Sequence, residues 1–454
     1  MADYLPHTPE EVAAMLEFLG LDSMDQLFAH IPASVRLSAG LDMAPGMSEP
    51  DVAAVFAQMT AKNKAQTSLL TCFAGGGAYD HEVPPVVRAL GSRSEFVTAY
   101  TPYQPEVAQG VLQAIFEYQT MVSRLSGLPI ANASIYDGAT SLVEAVNMAG
   151  GATGRSKMVL SAGVHPHWRA VVETFAFGTG HDIVIAPLKD GVTDWSAVDT
   201  SGAAAIVAAY PNYLGVVEDL TDAKALAVSN DALFVVAGDP VAAGVLKTAG
   251  EWGADVYVGE GQPFGTALSF GGPFLGLFAC TEAQIRRLPG RIVGETVDSN
   301  GRRAFVTTLR AREQDIRREK ATSNICSNQT LMAVTAAIQL GYLGTQGLAE
   351  VATRCAQGAH YLFDQLVKLP GVTAVSSQPF LREFALRLPR RADEVLAALA
   401  NEGMLGGLAL SGLAGESDPS IEGDLSNVLL VAVTERRTKA EIDRYVEVLG
   451  KVLS

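Results

Sequence analysis

Between Lys157 and Cys280 the chain repeats one pattern: a short, uninterrupted apolar run, a turn, a helix-like segment, and another apolar run. The runs are Lys157-Met-Val-Leu-Ser161, Asp182-Ile-Val-Ile-Ala186, Ala203-Ala-Ala-Ile-Val-Ala-Ala209, Leu233-Phe-Val-Val-Ala-Gly238 and Ala254-Asp-Val-Tyr-Val258. A strand with one wet face alternates apolar and polar residues, and these do not, so each must be covered on both faces. Runs of this kind separated by helices predict an α/β fold with a mostly parallel central sheet. Ligands of such sheets sit beyond the carboxyl ends of the strands. The residues that fall there are His165 and His167, Asn212, Asp239, and Glu260 to Gln262.

Composition removes several function classes. A net charge of -16 opposes nucleic-acid binding, which calls for a basic excess. No run approaches the ~18 apolar residues that span a bilayer, and the first residues have neither a basic n-region nor an apolar h-region. The four cysteines are far apart without CxxC spacing, which suits free thiols in a reducing compartment rather than disulfides or zinc. The expectation is a cytoplasmic protein with no metal, no nucleic acid and no membrane partner.

Three regions are expected. Residues 1–65 read as a helical arm. Thr8 with Glu11 forms a capping box and Gly20 ends the first helix, Ser23 with Gln26 repeats the device, and a third helix follows Ser48. Residues 66–345 form the large α/β domain, with a helix expected from Asp239 to Gly250 and a polar, arginine-rich stretch after Pro289. Residues 346–454 read as a small α+β domain, with strands near Val372, at Glu383–Leu388 and at Val428–Val433, and helices from His360, Ala392 and Lys439.

Three short segments stand out from ordinary packing. Phe73-Ala-Gly-Gly-Gly-Ala-Tyr-Asp-His81 has three consecutive glycines, each costing roughly 1 kcal/mol in a helix. It is either a pocket-lining loop that presents Tyr79, Asp80 or His81, or a turn into the next helix. In Thr101-Pro-Tyr-Gln-Pro-Glu106 two prolines fix an extended rod and the second opens a helix. Spacing alone favours a stiff connection there. Asp137-Gly-Ala-Thr140 opens a helix whose free N–H groups suit an anion, although Asp137 and Thr140 also serve as ordinary caps.

Taken together, Thr101–Glu106, Asn132-Ala-Ser-Ile-Tyr-Asp-Gly-Ala-Thr140, Tyr210-Pro-Asn-Tyr-Leu-Gly-Val-Val-Glu-Asp219, Val258-Gly-Glu-Gly-Gln-Pro263, Lys320-Ala-Thr-Ser-Asn-Ile-Cys326 and Ile31-Pro-Ala-Ser-Val-Arg36 resemble the glycine cleavage system P-protein family. The resemblance is closest to subunit 1 of the split bacterial form. It implies the aspartate-aminotransferase-like fold (fold type I) of pyridoxal-phosphate enzymes. There one strand delivers an Asp to the pyridinium nitrogen, and the next strand's end supplies the Schiff-base lysine. Asp239 matches the first role, but no lysine occurs between Lys247 and Lys320, and Gln262-Pro263 stands where the active half has His-Lys.

The resemblance further implies an α2β2 assembly in which subunit 2 carries the pyridoxal phosphate and none is covalently bound to this chain. The assembly decarboxylates glycine, releases CO2 and passes the aminomethyl group to the lipoyl arm of H-protein. Gly138, Thr140, His165, Asp239 and Gln262 are then remnant cofactor-pocket positions, while Tyr103, Gln104, Glu106, Tyr79 and His81 are candidates for the partner's pocket or the interface. Two alternatives stand beside this reading: a non-catalytic scaffold or regulatory subunit, and an independent pyridoxal-phosphate decarboxylase using Lys320.

Overall fold

The computed structural model describes residues 6–37, 41–63, 70–414, 418 and 421–454. The chain divides into two compact units, Met1–Lys64 and Ala65–Ser454.

In the first unit the helix Pro9–Leu19 carries the expected capping box: Glu11 N–H donates to Thr8 Oγ1 at 3.3 Å and Thr8 N–H to Glu11 Oε2 at 2.8 Å. Gly20 closes it at φ 68°. Ser23 heads the second helix, Met24–Leu27, but its side chain makes no capping bond. Gln26 instead turns back to accept the Asp22 N–H at 2.8 Å, so the expected second capping box does not form. Ser48 caps the third helix, Glu49–Ala61, by accepting from Asp51 N–H. None of these helices buries a residue.

The second unit is built on a seven-stranded sheet. Its strands are β1 (Ile130–Ala131), β2 (Lys157–Ser161), β3 (Asp182–Ala186), β4 (Ala205–Tyr210), β5 (Leu233–Gly238), β6 (Val256–Glu260) and β7 (Gly276–Cys280). The spatial order is β1-β7-β6-β5-β4-β2-β3. The pairs from β6 to β3 are parallel, and β7 runs antiparallel to both β6 and β1.

Side chains alternate between the two faces. Ile206, Ala208, Phe234, Val236 and Tyr257 pack on one core, with Tyr118, Val122 and Ala333 from the helices. Ala205, Val207, Ala209, Val235, Ala237, Val256 and Val258 pack on the other, with Leu142, Val146 and Val172. Two covered faces explain why the sequence shows runs rather than alternation.

Two expected features take another form. The segment after Asp239 is not a helix beyond the short 3-10 turn Ala242–Gly244. A Cβ at Gly244 would lie 2.8 Å from Leu348 O, so this backbone is pressed onto the helix Thr330–Leu366 and its conformation is set by that contact. The arginine-rich stretch contains an antiparallel hairpin, β8 (Ile292–Val297) and β9 (Arg303–Thr308). Its turn is closed by Asp298, which accepts from Asn300 and Arg302 N–H, and by Gly301 at φ 77°.

The helix Thr330–Leu366 breaks its regular geometry at Gly344 (φ 61°, ψ -174°) and continues into the C-terminal part. There a four-stranded sheet is ordered β10 (Thr373–Ala374), β11 (Glu383–Arg387), β13 (Val428–Ala432), β12 (Leu408–Ala409). Phe384, Leu386, Leu429 and Val431 face its own helices, whereas Ala385, Val428 and Leu430 pack on Tyr213, Leu214 and Val216 from the loop after β4.

That loop comes close enough to β11 to make one glycine obligatory. Gly215 has φ 86°, and a Cβ there would stand 1.8 Å from Glu383 O. Gly215→Ala should therefore lower the stability of the full chain by about 1–3 kcal/mol through overpacking and backbone strain. Urea unfolding monitored by circular dichroism measures this, and an unchanged midpoint would refute the close approach.

Candidate functional site

The carboxyl ends of β2, β4, β5 and β6 open onto a cavity of about 80 Å³, lined among others by Tyr79, His165, Trp168, Tyr213, Asp239, Glu260 and Arg382. β5 ends at Gly238 and delivers Asp239 into it. Asp239 Oδ1 accepts the Val241 N–H at 2.9 Å, while Oδ2 lies 2.7 Å from Arg382 Nη2. Arg382, immediately before β11, is only 2% exposed. Its guanidinium lies 3.7 Å from the centre of the Tyr79 ring, and Nη1 meets His81 Nε2. A guanidinium can only donate, so His81 accepts at Nε2 and carries its proton on Nδ1, which donates to Glu435 Oε2 at 2.7 Å. Asp80 is paired with Arg436 and Arg437.

The triple glycine is explained by the same neighbourhood. A Cβ on Gly75 would stand within 2.7 Å of Glu383, Ala432 and Tyr79, and Gly76 and Gly77 have φ of 70° and 103°. Gly76 N–H donates to Glu383 Oε1 at 2.6 Å and Tyr79 OH to Glu383 Oε2 at 2.8 Å. Burial drives the Glu383 carboxyl up to about 7, against the pull of these donors. Gln262 fastens the loop from below: its Oε1 accepts the Tyr79 N–H at 2.9 Å, and its Nε2 donates to Tyr79 O and Thr266 O.

The helix Gly138–Thr153 begins with Asp137, which accepts the Thr140 N–H at 2.8 Å. Its free Gly138 N–H donates to Glu260 Oε2 at 2.9 Å. Glu260 Oε1 accepts from Gln262 and Leu275 N–H, each at 2.9 Å. Burial pushes the Glu260 carboxyl up to about 7, and these three N–H groups hold it back. His165 caps the helix Pro166–Thr179: Nδ1 accepts the His167 N–H at 3.0 Å, so Nε2–H donates to Gly76 O at 2.7 Å. Asn212 shapes the turn after β4, accepting from Leu214 and Val216 N–H.

Pyridoxal phosphate requires an acidic partner for its ring nitrogen, a cradle for its phosphate and, for covalent attachment, a lysine. Here the acid is engaged by Arg382, the helix N–H holds a carboxylate, and among the described residues no lysine lines the cavity. The volume is also well below the ~300–1,000 Å³ of usual ligand pockets. The residues as they stand do not fit the cofactor.

Tyr103, Gln104 and Glu106 do not line this cavity. Pro105 opens the helix Pro105–Ser126, Gln104 precedes it without a side-chain capping bond, and all three candidates are exposed. The Tyr103 ring is flanked by Arg291 at 5.3 Å and Arg310 at 5.8 Å, and its hydroxyl accepts from Arg291 Nη2 at 3.2 Å. Arg382, Glu383, Trp168 and Arg291 were not singled out from the sequence. The only signal for the first two was a charged pair heading the strand Glu383–Arg387, whose middle residues are apolar.

Burial lowers the His165 pKa to about 4 from the ordinary ~6.5. The unfolded chain therefore binds this proton more readily, and the stability that neutral His165 contributes is lost as pH falls from about 6.5 towards 4. Between pH 7.5 and 5.5 the wild type should lose about 1 kcal/mol relative to a His165→Asn variant. Parallel urea curves at the two pH values test this, and equal losses would show that His165 does not titrate between the two states.

The chain and its architecture have known relatives. The sequence profile described as glycine cleavage system P-protein matches residues 2–449. "Probable glycine dehydrogenase (decarboxylating) subunit 1" of Anoxybacillus flavithermus is 46% identical over 450 residues, covering 98% of both chains. A crystal structure of glycine decarboxylase (P-protein) of the glycine cleavage system, in inhibitor-bound form, superposes with a TM-score of 0.90 at 45% identity, covering 99% of this chain and 100% of that one. A sphingosine-1-phosphate lyase of Burkholderia pseudomallei shares the fold alone, with a TM-score of 0.63 at 17% identity over 93% of this chain and 94% of its own. With a family match over nearly its whole length, a full-length relative at this identity and the pyridoxal-phosphate enzyme fold, the chain belongs to the glycine cleavage system P-protein family.

Proposed function

We propose that this chain is the half of a split P-protein that does not anchor the cofactor. A subunit 2 partner carries the pyridoxal phosphate, and the two form an α2β2 glycine dehydrogenase (decarboxylating). The observation that carries this reading is the cavity at the strand ends: among the described residues no lysine lines it, and Asp239, the acid at the end of β5, is already paired with Arg382. Bound to the partner, the cofactor would supply the electron sink for decarboxylation of glycine, with the lipoyl arm of H-protein as acceptor of the aminomethyl group.

The arm at residues 1–65 packs on the partner. Support comes from its helices and the turn after the second, which leave Phe18, Phe28 and Phe56 exposed, apolar surface of the kind an obligate interface covers. Tyr103, Gln104 and Glu106 reach the partner's pocket. Two prolines fix the rod, and Arg291, itself held by Cys326 O and Asn328, fixes the Tyr103 ring from behind. The Gln104 amide can then donate and accept at a reacting carboxylate without an entropy cost at the moment of reaction. Tyr79 and His81, by contrast, serve internally by tying the glycine loop to Glu383, Arg382 and Glu435.

In the reconstituted complex, Gln104→Ala should lower glycine–bicarbonate exchange at least tenfold, roughly 1.4 kcal/mol, with the assembly intact by gel filtration. Tyr103→Phe should lower it less. Unchanged exchange in both variants would remove this loop from the partner's pocket. The chain alone, incubated with pyridoxal phosphate and reduced with borohydride, should show no stable adduct on any specific lysine by mass, with activity appearing only when subunit 2 is added. A stoichiometric adduct together with turnover by the lone chain would make it a self-sufficient enzyme.

A further inference from the structure

We infer that Arg382 and Glu260 are resident stand-ins for the two charged ends of the cofactor that this fold ordinarily holds. The inference rests on the reading that the cofactor sits on the partner, and it adds what replaced it here. A pyridinium N–H is a cationic donor to a buried carboxylate. At Asp239 that place is taken by the guanidinium of Arg382, 2.7 Å from Oδ2, while Tyr79 covers the flat face of the same cation. A phosphate is an anion received by backbone N–H groups at a helix start. At Gly138 that place is taken by the Glu260 carboxylate, which gathers the N–H groups of Gly138, Gln262 and Leu275.

Arg382 matches the charge of the pyridinium N–H, and Glu260 matches the phosphate as an acceptor at three converging N–H groups. Each is also buried, Arg382 at 2% and Glu260 at 8% exposure. The two come from separate parts of the fold, one ending β6 and the other preceding β11, so a single local packing requirement does not account for both. Arg382 has a second effect. Because it arises in the C-terminal sheet and binds Asp239, Tyr79 and His81, it holds that sheet against the strand ends without any ligand. The pocket is thus a matched pair of ion sites closed by the chain itself, and removing the occupants should reopen them.

The test is a gain of binding, measured on the full chain by equilibrium dialysis with pyridoxal phosphate, pyridoxal and inorganic phosphate. Wild type should bind none of them saturably. Glu260→Ala should acquire affinity for inorganic phosphate, and Glu260→Ala with Arg382→Ala should bind pyridoxal phosphate non-covalently at least tenfold more tightly than either single variant, and more tightly than it binds pyridoxal. Folded variants that bind no better than wild type would overturn the inference. If a variant is unfolded by circular dichroism, its ligand should restore the fold, since a ligand of the native state stabilises it; failure of that rescue overturns the inference as well. The proposed division of labour fails separately, through a lysine adduct and turnover by the lone wild-type chain.

Discussion

A guanidinium with 2% exposure has to be paired. Stripping such a cation of water costs several kcal/mol, and leaving one partner of a buried pair alone costs about 3–5 kcal/mol. Arg382 meets that demand only because three separate parts of the chain arrive together: Asp239 at the end of β5, the Tyr79 ring and His81 on the glycine loop, and its own position before β11. Its Nε–H has no acceptor among the described residues, and the Asp239 contact is one of charge rather than an aligned hydrogen bond. The pair therefore adds specificity of arrangement more than raw stability. It fixes which end of the large sheet the C-terminal sheet must face.

The rest of the second unit is arranged to make that meeting rigid. Two apolar cores clamp the parallel strands, so the residues at their ends emerge at fixed heights. Gly75 and Gly215 let backbone approach Glu383 where a Cβ would collide, and Gly76 and Gly77 do the same against Leu408 and His165. Glu383 is buried beside Arg382 and drawn into the same array through Gly76 and Tyr79, and its burial lifts the carboxyl to about 7 against the pull of those two donors and of Arg382. A loop that reads as a ligand cradle in sequence is thus occupied by interactions within the chain.

Much of this was legible before any coordinates. Apolar runs gave the parallel strands because burial on both faces leaves no polar period, and the first and third helix starts were marked by Thr8 and Ser48, whose side chains cap locally. Features set by distant partners were not legible. The segment after Asp239 has apolar residues at helical spacing, yet its path follows the long helix on which Gly244 is pressed. The hairpin β8–β9 was hidden by its charges, since Glu295 and Arg303 pair across it on an exposed face and look like a solvated stretch. Asp239 could be named because it ends a strand. Arg382 could not, because nothing in one sequence pairs a residue before one strand with a residue 143 positions earlier, at the end of another.

The two groups of candidate residues also separate by physical character. In the strand-end group Asn212, Glu260 and Gln262 are buried, Asp239 and His165 are half-buried, and each is engaged by a partner within the chain, so their chemistry is spent on the chain's own architecture. The group at Thr101–Glu106 is exposed and yet ordered, which is costly for a tyrosine unless something holds the ring. Arg291 and Arg310 hold it, and Arg291 is itself 8% exposed and anchored to Cys326 and Asn328. In an acidic chain, an exposed aromatic braced by two cations and followed by an exposed amide is the arrangement that the proposed role at a partner's pocket calls for. An inward site that is closed and an outward segment that is braced are what a subunit needs if it completes a pocket belonging to another polypeptide.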